Sequence, residues 1–166
     1  LPARHLVLFP MAIQPLNVGR EKSVAMLNDA LAGDRAIALF SQKDGQQDDP
    51  APHELHAIGT MGTLLRMIRF PDNRLSVLIQ GTQRVRLLEI VQSTPYLQAR
   101  VEFLREVEVA DIETEALVKT VAGQFERVVA LSPNVPDESV PAARNQTSPG
   151  RVADFIASLL DLPVED

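Results

Sequence analysis

Ile58-Gly59-Thr60-Met61-Gly62-Thr63-Leu64-Leu65-Arg66-Met67-Ile68-Arg69-Phe70, then Pro71-Asp72-Asn73, then Arg74-Leu75-Ser76-Val77-Leu78-Ile79-Gln80-Gly81-Thr82-Gln83-Arg84-Val85-Arg86-Leu87-Leu88-Glu89-Ile90-Val91 is the stretch that organises the chain. Two apolar, β-branched-rich runs flank a Pro-Asp-Asn corner, where proline fixes the first φ and Asp and Asn tolerate the remaining angles. The spacing predicts a long β-hairpin. Leu75, Val77 and Ile79 alternate with Ser76, Leu78 and Gln80, so one face is apolar and the other mixed, as on a sheet whose second side is only partly covered. Gly81 interrupts the second run and Gly59 and Gly62 the first, and glycine within a strand marks a bulge or a sharp bend. The prediction is a small, strongly coiled sheet or barrel.

Working outward, His5 to Phe9 reads as a first strand ended by Pro10, and Met11 to Val18 as extended, since Pro15 pushes Gln14 away from helix. A helix is predicted from Arg20 to Ala32, with Val24, Leu27 and Leu31 on one stripe and Gly33 as its stop. Arg35 to Gln42 forms a compact strand, and Lys43 to Pro52 is a polar surface loop. After the hairpin, Tyr96 to Val107 alternates Leu97, Ala99, Val101 and Phe103 against Gln98, Arg100 and Glu102, the cleanest period of two in the chain.

The character changes near Asp111, which caps a helix carrying acids in its first turn and a stripe of Leu117, Val121, Phe125 and Val128. A short helix is expected within Pro136 to Arg144. Ser148-Pro149-Gly150 opens the last helix, with Val152, Phe155, Ile156 and Leu159 on its buried face. A β-rich module of about 108 residues is therefore followed by a small helical one.

A chain of 166 residues is long enough to bury roughly 68–70% of its unfolded surface without covalent staples. Cysteine is absent, which excludes a disulfide framework, a thiolate zinc site and a cysteine nucleophile. No apolar run reaches the ~18–20 residues of a membrane span, and the start lacks the form of a signal peptide. Leu1 in place of an initiator methionine suggests a piece of something longer. The formal charge of −6 argues against general nucleic-acid binding, although thirteen of the sixteen cations are arginine and five of those lie on the hairpin.

No chemistry emerges. His53 and His56 lack a third ligand and read as a loop-to-strand junction. There is no G-x-x-x-x-G-K-[ST] loop to cradle phosphates. Lys22, Lys43 and Lys119 stand in no elbow or dyad that would activate a serine. The chain is read as non-catalytic, without a cofactor or metal of its own.

Leu8-Phe9-Pro10, Pro15-Leu16-Asn17-Val18-Gly19-Arg20-Glu21-Lys22-Ser23, Gln42-Lys43-Asp44, Ile58-Gly59-Thr60, Phe70-Pro71-Asp72, Gln80-Gly81-Thr82-Gln83-Arg84 and Pro149-Gly150-Arg151-Val152-Ala153-Asp154-Phe155-Ile156-Ala157 stand in the order and spacing of the N-terminal domain of the ATP-dependent Lon protease. The chain resembles that family over essentially its whole length. The resemblance implies an α+β fold, with a PUA-like small β-barrel and one docked helix at 1–108 and a helical subdomain at 109–166. It also implies a cytoplasmic domain that recognises unfolded or damaged proteins and assists ring assembly in a homo-oligomer. ATP, magnesium and the Ser-Lys peptidase centre would belong to domains beyond Asp166, and Leu162-Pro163-Val164-Glu165-Asp166 reads as a cut before a helical linker. Met11 and Asn145-Gln146-Thr147-Ser148 depart from the family pattern in ways that bear on loop shape.

Met11, Ile13, Met67 and Phe70 are the candidate substrate contacts, and the same four also read as core, since methionine commonly fills core gaps. Strand addition at an open sheet edge is a second mode of capture. A free-standing Lon-type interaction module would share every motif. RNA binding through Arg84 and Arg86 is the remaining alternative; one tyrosine and no tryptophan leave little stacking capacity and favour a solvated or ion-paired sheet face.

Overall fold

The structure, a computed structural model, describes residues 1–71, 74–107 and 111–160. Its strands are β1 (Pro2–Ala3), β2 (Ile13–Val18), β3 (Ala36–Ser41), β4 (Ile58–Arg69), β5 (Leu75–Gln92) and β6 (Gln98–Phe103). Its α-helices are α1 (Glu21–Ala32), α2 (Ile112–Leu131), α3 (Ser139–Arg144) and α4 (Pro149–Leu159). The chain divides into two compact units, Leu1–Leu104 and a helical one from Arg105 onward. The boundary read at residues 108 and 109, the Asp72-Asn73 corner and the Leu162–Asp166 segment lie outside the described residues.

In the first unit the hairpin forms the centre of a six-stranded sheet ordered β1-β3-β4-β5-β2, with β6 paired to β5. One edge of β5 carries β4 along most of its length, while the other is shared by β2 beside Leu75–Gln80 and by β6 beside Val85–Gln92. The expected bulge lies where Gly81 interrupts the run. Met61 pairs with Gln83 and Gly62 with Gly81, which leaves Thr82 as the extra residue. A Cβ on Gly81 would lie 2.2 Å from the carbonyl oxygen of Phe9, so only glycine lets that backbone approach.

The extra residue reverses the alternation of β5. Leu75, Val77 and Ile79 join Leu64, Ile37, Leu39 and the α1 residues Met26 and Leu27 in one core cluster. Beyond Thr82, Val85 instead joins Phe40 and Leu55 in another. Because Ile37 and Leu39 alternate with Phe40 along β3, the two clusters occupy opposite faces of the sheet. Each fully buried Leu, Ile or Val of these clusters contributes about 1.5–3 kcal/mol.

Helix α1 covers the first face with Met26 and Leu27 buried; of the predicted stripe Leu27 is at the centre and Val24 and Leu31 pack partly buried beside it. Gly33 stops it with φ −103°, donating its N–H to the carbonyls of Ala30 and Asp29. The left-handed residue of that exit is Arg35, at φ 61°. The predicted first strand at His5–Phe9 is absent, and the short β1 pairs in parallel with β3 at Phe40 and Ser41 instead. His5 takes φ 49° and breaks the extension. The carbonyls of Leu6 and Leu8 are met by side-chain hydroxyls of Ser41 (2.6 Å) and Thr60 (2.5 Å) instead of a ladder.

In the helical unit Phe125 and Val129 of α2 pack on Ala143 of α3 and on Val152 and Ile156 of α4. Asp111 accepts the N–H of Thr114 at 2.7 Å and caps α2, a bond that holds its carboxyl below the usual carboxylate range. Ser148 caps α4 by accepting the N–H of Arg151, with Pro149 in the first turn. Ser148→Ala should lower the stability of this unit by about 1 kcal/mol, read from urea titration of the helical circular-dichroism signal. No change would mean that water satisfies the end of α4 equally well.

Candidate functional site

The reversal at Thr82 leaves the other side of the β2–β5–β4 half of the sheet open to solvent. Cross-strand register sets out three rows there: Ile13, Gln80 and Thr63; Pro15, Leu78 and Arg66; Asn17, Ser76 and Ile68. Directly opposed side chains on one face lie about 4.5–5.5 Å apart at Cβ and diagonal ones about 7–8 Å, so Pro15 and Leu78 are direct neighbours and Ile13 and Ile68 are diagonal to Leu78, among neutral polar side chains and Arg66. Ile13, Leu65 and Ile68 are 52%, 41% and 47% exposed, far above the near-zero values of Leu75, Val77 and Ile79 on the reverse side. Phe70 extends the surface at the end of β4, and Met11 stands at its other end with φ 66°.

Of the four residues singled out from sequence, Met11, Ile13 and Phe70 are exposed. Met67 is not: it is half-buried and packs against the α1-facing core. The cause is a second bulge. Leu64 pairs with Ile79 and Arg66 with Leu78, so Leu65 is an extra residue that turns Met67 inward and Ile68 outward. Leu65 and Ile68 are not legible in the sequence as members of this face, because the run Leu64-Leu65-Arg66-Met67-Ile68 has too little polar alternation to reveal its own phase. Met61 packs on the second cluster.

Strand β2 is an edge of the sheet. The bond from the Gly81 N–H to the Ala12 carbonyl sets its alternation, so Gln14 and Leu16 turn their peptide groups toward β5 and Ile13, Pro15 and Asn17 turn theirs away. Proline at the middle outward position offers no donor to an added strand.

A second apolar feature of the unit is a cleft of about 420 Å³ lined by Met26, Ala38, Phe40, Leu55, Leu97 and Val101. The Tyr96 hydroxyl at its rim donates to the Asp29 carboxylate at 2.8 Å, which keeps the phenol above its ordinary pKa. On the far half of the hairpin the Arg86 guanidinium donates to Glu102 at 2.8 Å across the β5–β6 pair, the ion-paired one of the two arrangements, solvated or ion-paired, expected from sequence for this face. The polar loop after β3 is held by Arg20, which donates to the buried Gln42 at 2.9 Å, and by Lys22, which pairs with Asp49 at 2.5 Å. No helix among the described residues is long and apolar enough to cross a membrane.

The sequence matches the family described as the ATP-dependent protease La (LON) substrate-binding domain over residues 1–166. The Lon protease of Dictyoglomus thermophilum is 39% identical over 166 residues, covering 100% of this chain and 21% of that protein. That of Trichlorobacter lovleyi is 40% identical over 167 residues, covering 100% and 20%. The chain thus spans about a fifth of the length of these relatives. Among solved structures, the N-terminal domain of Mycobacterium avium complex Lon protease is similar with a TM-score of 0.66 at 20% identity, covering 93% of this chain and 77% of that one. The Lon N-terminal domain protein from Xanthomonas campestris gives 0.57 at 17% identity, covering 95% of each. These two likenesses show a shared mixed fold of sheet and helices.

Proposed function

Since this chain belongs to the substrate-binding domain family of the ATP-dependent protease La (Lon), we propose that it is the non-catalytic substrate-recognition domain of such a protease. In this reading it binds unfolded or damaged proteins and assists ring assembly, and the ATPase and Ser-Lys peptidase domains, with their ATP and magnesium, lie elsewhere in a cytoplasmic homo-oligomer. The sheet of the first unit is the PUA-like barrel of this reading and the helical unit its second subdomain. The observation that carries the proposal is the apolar face built by the exposed Ile13, Leu65 and Ile68 and the half-buried Leu78, with the exposed Met11 and Phe70 at its ends. Unfolded chains differ from folded ones in displaying apolar side chains, and an exposed apolar surface on an otherwise acidic domain matches that difference.

A reduced, carboxymethylated protein that stays unfolded tests this reading. The 166-residue chain should bind it, and the double change Ile13→Ser with Ile68→Ser should weaken binding about ten-fold or more, each half-exposed side chain contributing about 1 kcal/mol on burial. The circular-dichroism spectrum should be unchanged. Unaltered affinity in a folded double variant would remove this face as the site.

A further inference from the structure

The strands of the exposed face carry cations and no acids. The chain holds 22 acidic residues, yet β2, β4 and the Leu75–Gln80 part of β5 contain none. Arg66 sits within the face, opposite Leu78 with Pro15 beyond it, and flanked along β4 by Leu65 and, one residue on from Met67, by Ile68. Its side chain is exposed, and it makes no ion pair among the described residues. The other polar groups on the face, Thr63, Ser76, Gln80 and Asn17, are neutral.

We propose that this face selects extended apolar segments that carry an aspartate or glutamate, whose carboxylate pairs with Arg66 while the neighbouring apolar side chains cover Ile13, Leu65, Ile68 and Leu78. The inference rests on the reading of the face as the substrate site and adds the class of segment it prefers. A planar guanidinium matches a carboxylate with two parallel N–H bonds, and among the described residues no carboxylate is paired with it. Segments carrying lysine or arginine at the same place meet like charge and are disfavoured.

The test uses the 166-residue chain and three fluorescent apolar peptides, amidated at the C-terminus and identical except for Asp, Asn or Lys at the centre. The Asp peptide should bind about three- to five-fold more tightly than the Asn peptide at low salt, as suits one solvent-facing ion pair, and the Lys peptide more weakly than either. Arg66→Gln should erase the Asp advantage and leave the Asn peptide unchanged; Arg66→Lys should keep part of it. Added salt should narrow the gap between the Asp and Lys peptides. Equal binding of Asp and Asn peptides, or an advantage that survives Arg66→Gln, overturns the inference while leaving the apolar site standing. A gain seen only with a free C-terminal carboxylate also overturns it. Failure of all three peptides, together with failure of the unfolded protein, would remove the site itself.

Discussion

Gly81→Ala is expected to abolish the folded state of the first unit. The added Cβ would meet the Phe9 carbonyl oxygen at 2.2 Å and its carbon at 3.0 Å. Those are backbone atoms, with no flexible side-chain end to swing aside. Gly81 is also held from both directions, its N–H donating to Ala12 and its carbonyl accepting from Met11, each at 2.9 Å. Relief therefore requires the Phe9–Ala12 turn to detach from β5, with loss of these bonds and of the neighbouring ladder to β2. A cost of about 4 kcal/mol or more follows, a large part of the total stability of a typical domain. Soluble protein with native sheet signal and an unchanged urea midpoint would show that the turn can move cheaply.

Phe125→Ala should have the second largest effect. Phe125 is 3% exposed and is the largest fully enclosed member of a cluster whose other buried residues are Val129, Ala143, Val152 and Ile156. Truncating a buried phenylalanine costs about 3–5 kcal/mol, and so small a helical unit has little stability in reserve. The helices should therefore lose their cooperative unfolding transition, followed by helical circular dichroism or by methyl resonances of Val152 and Ile156. Methyl resonances of Leu75 and Ile79, which belong to a different cluster, should keep their native dispersion. A sharp helical transition with its midpoint intact would contradict this account.

Much of the fold is legible because its signals are local. The hairpin shows in two apolar, β-branched-rich runs and a corner, α2 and α4 show in Asp111 and Ser148 at their starts, and the bulge shows in Gly81. What is not legible depends on partners. The two residues of β1 carry no pattern and acquire strand character only from β3. His5 to Phe9 looks like a strand, yet hydroxyls of Ser41 and Thr60, distant in sequence, meet its carbonyls. The candidate site divides in the same way. Met11, Ile13 and Phe70 are conspicuous as apolar residues at turns and edges. The exchange of Met67 for Ile68 is fixed by Leu65 slipping one place against β5, which the composition of β4 does not announce.

On the proposed reading, a surface that adheres to disordered chains also risks adhering to its own kind, and the margin of this sheet bears on that danger. Pro15 interrupts the row of donors along the rim of β2, so copies crowded together cannot zip rim to rim into a growing ribbon. In that reading, stickiness toward clients is thereby separated from the tendency to polymerise.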